Sequence, residues 1–174
     1  MKNIKRVLCL VLTLLMVAST VSVFAAFSDV PTTASYEKAV SALSQLGIIK
    51  GYDDGTFKPD NDVTRAEFTA MLMRTMGAGS IGSSSSADLP FSDVSDQNSD
   101  ISWSIPNINT AYKNGIVNGY EDGTFRPNDK VAYEEAVKMV VCALGYGENI
   151  SVDATPWYSN FMAQARSLGT LKGA

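Results

Sequence analysis

The sequence predicts an all-α protein assembled from repeated helix-loop-helix units, and three observations carry that reading. A thirteen-residue loop motif occurs twice, apolar residues recur at helical spacing on either side of it, and a glycine stands where each leading helix must stop. Self-similarity outranks local propensity here, because a fixed period in sequence means stacked supersecondary units. Gly47-Ile48-Ile49-Lys50-Gly51-Tyr52-Asp53-Asp54-Gly55-Thr56-Phe57-Lys58-Pro59 returns 68 residues later as Gly115-Ile116-Val117-Asn118-Gly119-Tyr120-Glu121-Asp122-Gly123-Thr124-Phe125-Arg126-Pro127. The upstream Phe27-Ser28-Asp29-Val30 returns as Phe91-Ser92-Asp93-Val94 only 64 later, so the second copy carries four extra residues within 95–102. A third copy begins at Trp157, twelve residues before Gly169 as Trp103 is twelve before Gly115.

The elements follow in chain order. Lys2, Lys5 and Arg6 precede an apolar run over 7–17 and Val23-Phe24-Ala25, the layout of a secretory signal peptide covering 1–25. The run is shorter than the ~20 residues of a spanning helix, and no later stretch could cross a membrane. Copy one occupies 27–77. Its first helix carries Tyr36, Ala39, Val40, Leu43 and Leu46 as a single apolar stripe, closed by Gly47 at the C′ position. Its second helix opens on Thr64-Arg65-Ala66-Glu67, a capping box, with Phe68, Met71, Leu72, Thr75 and Met76 as the expected buried stripe. A Gly/Ser-rich stretch over 78–90 reads as a flexible linker.

Copy two spans 91–146. Ile105, Ile108, Ala111 and Tyr112 mark its first helix, which Pro106 confines to a start at Ser104 or Ile105. Ala136, Met139, Val140, Ala143 and Leu144 are the expected stripe of its second helix, which has Ala132 in place of a capping threonine. The partial third copy, 147–174, repeats the first-helix stripe as Tyr158, Phe161, Met162, Ala165 and Leu168. Helix pairs of this length cannot bury their stripes alone, so the copies must pack on one another. The third helix lacks a partner helix within the chain, and its face is expected to pack on the other copies or on another chain.

Charge and composition narrow the function. All 18 acidic residues follow Ala26 while three of the 14 cations precede it, so the formal charge of the remainder is −7 rather than −4. That sign offers no electrostatic footprint for nucleic acid or an anionic bilayer. The absence of histidine removes the commonest general base and the commonest metal ligand. Cys142 would be the only thiol left after signal removal, embedded in an apolar helix as a small hydrophobe, so stability rests on the core and not on disulfides. Asp53 to Thr64 fails the calcium-loop pattern, which asks for alternating carboxylates, a Gly at six and a Glu at twelve. No metal, cofactor or catalytic group is expected. A glycosidase needs two facing carboxylates, whereas the acids here lie in turns and caps.

These motifs resemble surface-layer homology domains, the modules that hold exported bacterial proteins to the cell wall. The resemblance rests on Phe-x-Asp-Val, a Trp-led helix, Gly-Ile-Ile-x-Gly-Tyr-x-Asp-Gly-Thr-Phe-x-Pro and Thr-Arg-Ala-Glu. Copy one has Ser35 where the Trp is usual, and copy two replaces Thr-Arg-Ala-Glu with Ala132-Tyr133-Glu134-Glu135. It implies a helical pseudo-threefold prism, with the third repeat incomplete here. It also implies non-covalent binding of a secondary cell wall polymer or peptidoglycan-linked glycan, often one bearing pyruvylated amino sugars, at the cell wall or S-layer.

Carried over, Arg65 would face the anionic group through its fork of donors. Trp103 and Trp157 would line grooves between copies, Asp29 and Asp93 would contact or position sugar, and Gly51 and Gly119 would admit a ligand to the backbone. Each has a plainer alternative: a surface arginine for Arg65, packing for the tryptophans, Asx turns for the aspartates. On this reading Arg65→Ala weakens binding with little loss of fold. The competing functional reading is a structural S-layer or envelope assembly protein, or a fragment of a larger anchored protein, without glycan binding of its own. Oligomeric state is left open.

Overall fold

In the computed structural model, residues 27–79 and 81–171 are described; the expected signal peptide lies outside them. Six α-helices and no β-strand occur among the described residues: α1 (Glu37–Gln45), α2 (Arg65–Thr75), α3 (Ser99–Ser102), α4 (Ile105–Lys113), α5 (Tyr133–Ala143) and α6 (Ser159–Ser167). None is long and apolar enough to cross a membrane. Copy one supplies α1 and α2, copy two α4 and α5, and the third copy α6. The packing runs from each second helix to the next copy's first helix: α2 lies on α4, and α5 lies on α6, with α2 also meeting α5. No other helix packs on α1 to a comparable extent among the described residues.

Local sequence explains the boundaries. Thr64 is extended at φ −77° and ψ 162°, its hydroxyl accepts the Glu67 N–H at 3.2 Å, and the Glu67 carboxylate accepts the Thr64 N–H at 2.8 Å. Helix α5 keeps only the return half of that box, the Ala132 N–H donating to Glu135 Oε2 at 3.0 Å, because alanine has no side-chain acceptor. Helix α4 starts at Ile105 with Pro106 in its first turn, where the missing N–H costs nothing. Gly47 and Gly115 follow α1 and α4 with φ +70° and +66°, the left-handed conformation that lets a chain leave a helix.

The main core belongs to copy two. Phe91, Val94, Ile101, Ile105, Ile108, Ala111, Ile116, Val117, Phe125 and Met139 form it, and Met73 of α2 is the buried contribution of copy one. A second cluster of Val137, Val141, Phe161 and Ala165 joins α5 to α6, with Met162 and Leu171 packed against it. Of the face expected to be covered in α6, Phe161 and Ala165 are buried from within the chain and Tyr158, Met162 and Leu168 are half-buried. The four extra residues of copy two lie beside a helical turn, α3, whose start is capped by Asn98 Oδ1 and which delivers Ile101 to the core.

Four expectations are corrected. In α2 the buried face is Ala66, Thr69, Ala70 and Met73 with Arg65, while Phe68, Met71 and Leu72 are half-buried and Thr75 and Met76 exposed. The face turns toward the small Ala66 and Ala70, which a search for large apolar residues cannot see. In α5, Val137 and Val141 are buried with Met139, whereas Leu144 is exposed, since α5 must serve two cores at once. In α1 only Val40 of the expected stripe is buried. The Gly/Ser-rich stretch does not hang free: Asn109 Nδ2 donates to the Ser85 carbonyl, Lys113 pairs with Asp88, and Gly82 abuts the Pro106 carbonyl so closely that a Cβ would overlap it.

Candidate functional site

Each loop motif is a clamp closed by its upstream aspartate. Asp29 Oδ1 and Oδ2 accept the Phe57 and Lys58 N–H groups, both at 2.7 Å, and Asp93 does the same for Phe125 and Arg126. The Phe57 N–H bond holds the Asp29 carboxyl below its usual range. These are bonds across about thirty residues, not the local Asx turns considered as the alternative. With both oxygens of each carboxylate engaged by backbone, the two aspartates shape the loop. Within the clamp, Asp122 accepts from the Thr124 hydroxyl and N–H and pairs with Arg126, which together pull its carboxyl down to about 2.

Lys58 and Arg126 occupy the left-handed region at φ +56° and +59°, unusual for side-chain-bearing residues. The conformation carries each cation back over the loop tyrosine, Lys58 at 4.1 Å from the Tyr52 ring centroid and Arg126 at 4.0 Å from that of Tyr120. Gly51 and Gly119 are required for a related reason. Both have positive φ, and a Cβ would collide with Phe27 or Phe91 and with the carbonyl of Thr56 or Thr124. On the side where a Cβ would stand, each of these glycines faces a phenylalanine of the same copy.

Arg65, at the first position of α2, is drawn into copy two. It is 5% exposed, its Nε donates to the Phe125 carbonyl at 2.9 Å, and its Nη1 pairs with Glu135 at 3.0 Å. The guanidinium lies 4.7 Å from the Tyr120 ring centroid and 4.9 Å from that of Phe125. The Tyr120 hydroxyl donates a short hydrogen bond to Glu135. Burial and that bond push the tyrosine up to about 12, with Arg65 pulling the other way. Burial opposes ionisation of Glu135, but the Tyr120 hydroxyl, the Ala132 N–H and Arg65 outweigh it and leave the carboxyl below its ordinary value. Backbone groups complete the junction: the N–H groups of Arg65 and Ala66, which a helix start leaves without partners, donate to the carbonyls of Asp129 and Pro127 at 2.9 and 3.0 Å. The sequence alternative of an ordinary surface arginine is thereby corrected.

Around this junction opens a cleft of about 700 Å³, lined by Arg65, residues 116–122, Arg126, Glu135, Lys138, Met139, Val152 and Trp157. Copy one gives the buried guanidinium, copy two the loop and α5, and copy three the tryptophan. Trp157 is 40% exposed and held edge-on against Tyr158 and Phe161, with Lys138 Nζ 5.7 Å from its ring centroid. Gly119 belongs to the wall. Trp103 does not; it is exposed and its Nε1 donates to the Asp100 carbonyl. Asp29, Asp93 and Gly51 are also outside the cleft lining. The cleft thus combines a flat aromatic, three cations and three acids in Glu121, Asp122 and Glu135, a mixed surface suited to a polyhydroxylated ligand with a local negative charge.

Sequence reasoning missed Tyr120, Arg126, Glu135 and Lys138. A signal existed for three of them, since Tyr52, Lys58 and Glu67 hold the same positions in copy one. Glu67 was legible only as a capping residue and Glu135 not at all, because their pairing role requires the tyrosine fifteen residues upstream to fold back onto them.

A family model described as the S-layer homology domain matches residues 26–69 and 90–137. The chain is 33% identical, over 99% of its length, to a cell surface protein of Thermoanaerobacter kivui, of which it covers 22%. It is 32% identical over 80% of its length to a surface layer protein of Brevibacillus choshinensis, covering 12% of that protein. A cellulosome-anchoring protein of Acetivibrio thermocellus is 31% identical over 50% of the chain and 19% of its own length. The chain therefore spans about a fifth or less of each of these relatives.

Proposed function

This chain belongs to the S-layer homology domain family, and from that premise we propose that it is a non-covalent cell-wall anchoring module which takes an anionic secondary cell wall polysaccharide in the Arg65 cleft. The observation that carries the reading is the convergence of Arg65, the 116–122 loop and Trp157 from three successive copies on one cleft. Trp157 offers an apolar plane to a sugar face, and Gly119 and Tyr120 border the hydroxyls. Arg65 has five donors, and the hydrogen bonds among the described residues engage Nε and Nη1. Its Nη2 amine is the end left for a carboxylate such as a pyruvyl ketal, with Arg126 and Lys138 flanking it. Binding and not turnover is the role, exercised at the bacterial cell surface, in keeping with the surface and anchoring proteins it is similar to.

The test is retention on purified wall sacculi before and after removal of the secondary polymer. Retention lost with the polymer supports the reading; equal retention, or none on either, overturns it. Arg65→Ala is a poor probe by itself, because it would leave Glu135 facing the junction without its cation, a loss of about 3 kcal/mol or more for a buried pair. Trp157→Ala is the cleaner variant. Its ring is half outside the fold, so retention is expected to drop about tenfold, the worth of one stacked aromatic, while the chain stays folded.

A further inference from the structure

An asparagine or aspartate followed by glycine is a chemically labile pair, because the glycine nitrogen can reach the side-chain carbonyl carbon with no Cβ in its way. Four such pairs occur in the chain: Asp54-Gly55, Asn114-Gly115, Asn118-Gly119 and Asp122-Gly123. Three of them are tied down. The N–H groups of Gly55, Gly115 and Gly123 donate to the carbonyls of Tyr52, Tyr112 and Tyr120 at 2.9, 2.9 and 3.0 Å. Their preceding side chains are engaged as well. Asp54 and Asp122 accept from the N–H and hydroxyl groups of Thr56 and Thr124, and the Asn114 amide donates to the Thr110 carbonyl at 2.7 Å. Asn118-Gly119 has neither restraint. Asn118 is exposed, and among the described residues neither its side chain nor the Gly119 N–H makes a hydrogen bond. Both residues belong to the wall of the Arg65 cleft, next to Tyr120.

We propose that Asn118-Gly119 is a self-modification site, at which the Asn118 amide becomes a carboxylate and turns the cleft against an anionic ligand. The Gly119 nitrogen attacks Cγ of Asn118. The N–Cγ bond forms as the Cγ–Nδ2 bond breaks, and Nδ2 leaves as ammonia with the proton of the Gly119 N–H. One water then opens the five-membered imide at either carbonyl, giving aspartate in the ordinary linkage or its β-linked isomer, with no oxidant or reductant involved. The cleft wall holds Arg65, Arg126 and Lys138 against Glu121, Asp122 and Glu135. A carboxylate at 118 makes four acids to three cations, and the β-linked product also lengthens the backbone by one carbon just before Gly119. Copy one has Lys50 before Gly51, so its loop cannot follow. The consequence for binding rests on the wall-polymer reading of the cleft, whereas the chemistry stands apart from it.

The test is ageing of the full chain at mildly alkaline pH, folded and in concentrated urea, with the masses of the peptides carrying Asn114 and Asn118 read at intervals. In the folded chain Asn118 should convert at least about tenfold faster than Asn114, the factor set by one backbone hydrogen bond that must break first. In urea, where both pairs are released, the two rates should draw close. Asn118→Gln should keep its mass over the same interval. Asn118→Asp, which carries the charge from the start, should be retained on wall sacculi about threefold less than the parent chain, the worth of one added charge at a solvent-open site. Equal conversion of Asn114 and Asn118 in the folded chain, or none at Asn118, would overturn the site. Retention of Asn118→Asp equal to that of the parent would overturn its effect on the cleft. A parent chain that is not retained at all would sink the wall-polymer reading, while the masses still decide the site.

Discussion

Copies one and two share their loop almost residue for residue, and the clamp geometry repeats to within a tenth of an ångström in the aspartate bonds. Their burial differs nonetheless. Phe125 has no exposed surface while Phe57 is half-buried, and Glu135 has a guanidinium where Glu67, among the described residues, has the Tyr52 hydroxyl and a backbone N–H. The same local structure therefore forms with and without a neighbouring copy. The loop is held by short-range geometry and by one carboxylate, and the neighbour adds burial and charge pairing on top of a shape already made. Among the described residues, copy two is the hub because it has a copy on each side.

The largest expected effect that probes this difference is a matched truncation. Phe125→Ala should cost about 3–5 kcal/mol, as for a fully buried ring, whereas Phe57→Ala should cost clearly less because its site is already open. Urea unfolding of the two variants measures it, and equal losses would mean that copy one's face is covered in solution. The second test is acid. Glu135 has a folded value below its ordinary one, so it adds stability above about pH 4.5 that is lost as pH falls through the folded value. Unfolding followed from pH 7 to pH 3 should show that loss, and Glu135→Gln should flatten the curve. The smallest effect concerns caps: Thr64→Ala should lose about 1 kcal/mol, and Ala132→Thr should gain up to a similar amount at a position with the same extended backbone. Thermal midpoints of the two variants moving in opposite directions would establish that the capping side chain separates the copies there.

Much of this molecule was legible in one dimension. The repeat, the Thr64 capping box, the start of α4 behind Pro106 and the glycine stops are all local, each decided by a few neighbouring residues, and the structure reproduces them. Arg65 and Trp157 were singled out by resemblance, and both line the cleft, although Arg65 is far more buried than a surface role requires. Trp103, Asp29, Asp93 and Gly51 share the motif without reaching that cleft. The buried face of α2 was misjudged because it includes the small Ala66 and Ala70, whereas a stripe of larger residues on the same helix gives the stronger one-dimensional signal.

What the sequence by itself determined is therefore the kind of unit and the ends of its helices, since capping, turn conformation and helical spacing act over fewer than about five residues. The tertiary structure alone decided which copy is enclosed and which site is complete. Two copies with one motif acquire different burial, charge partners and chemistry according to whether a neighbour's helix lies across them, and that depends on contacts between residues sixty or more positions apart, such as Arg65 with Phe125 and Glu135.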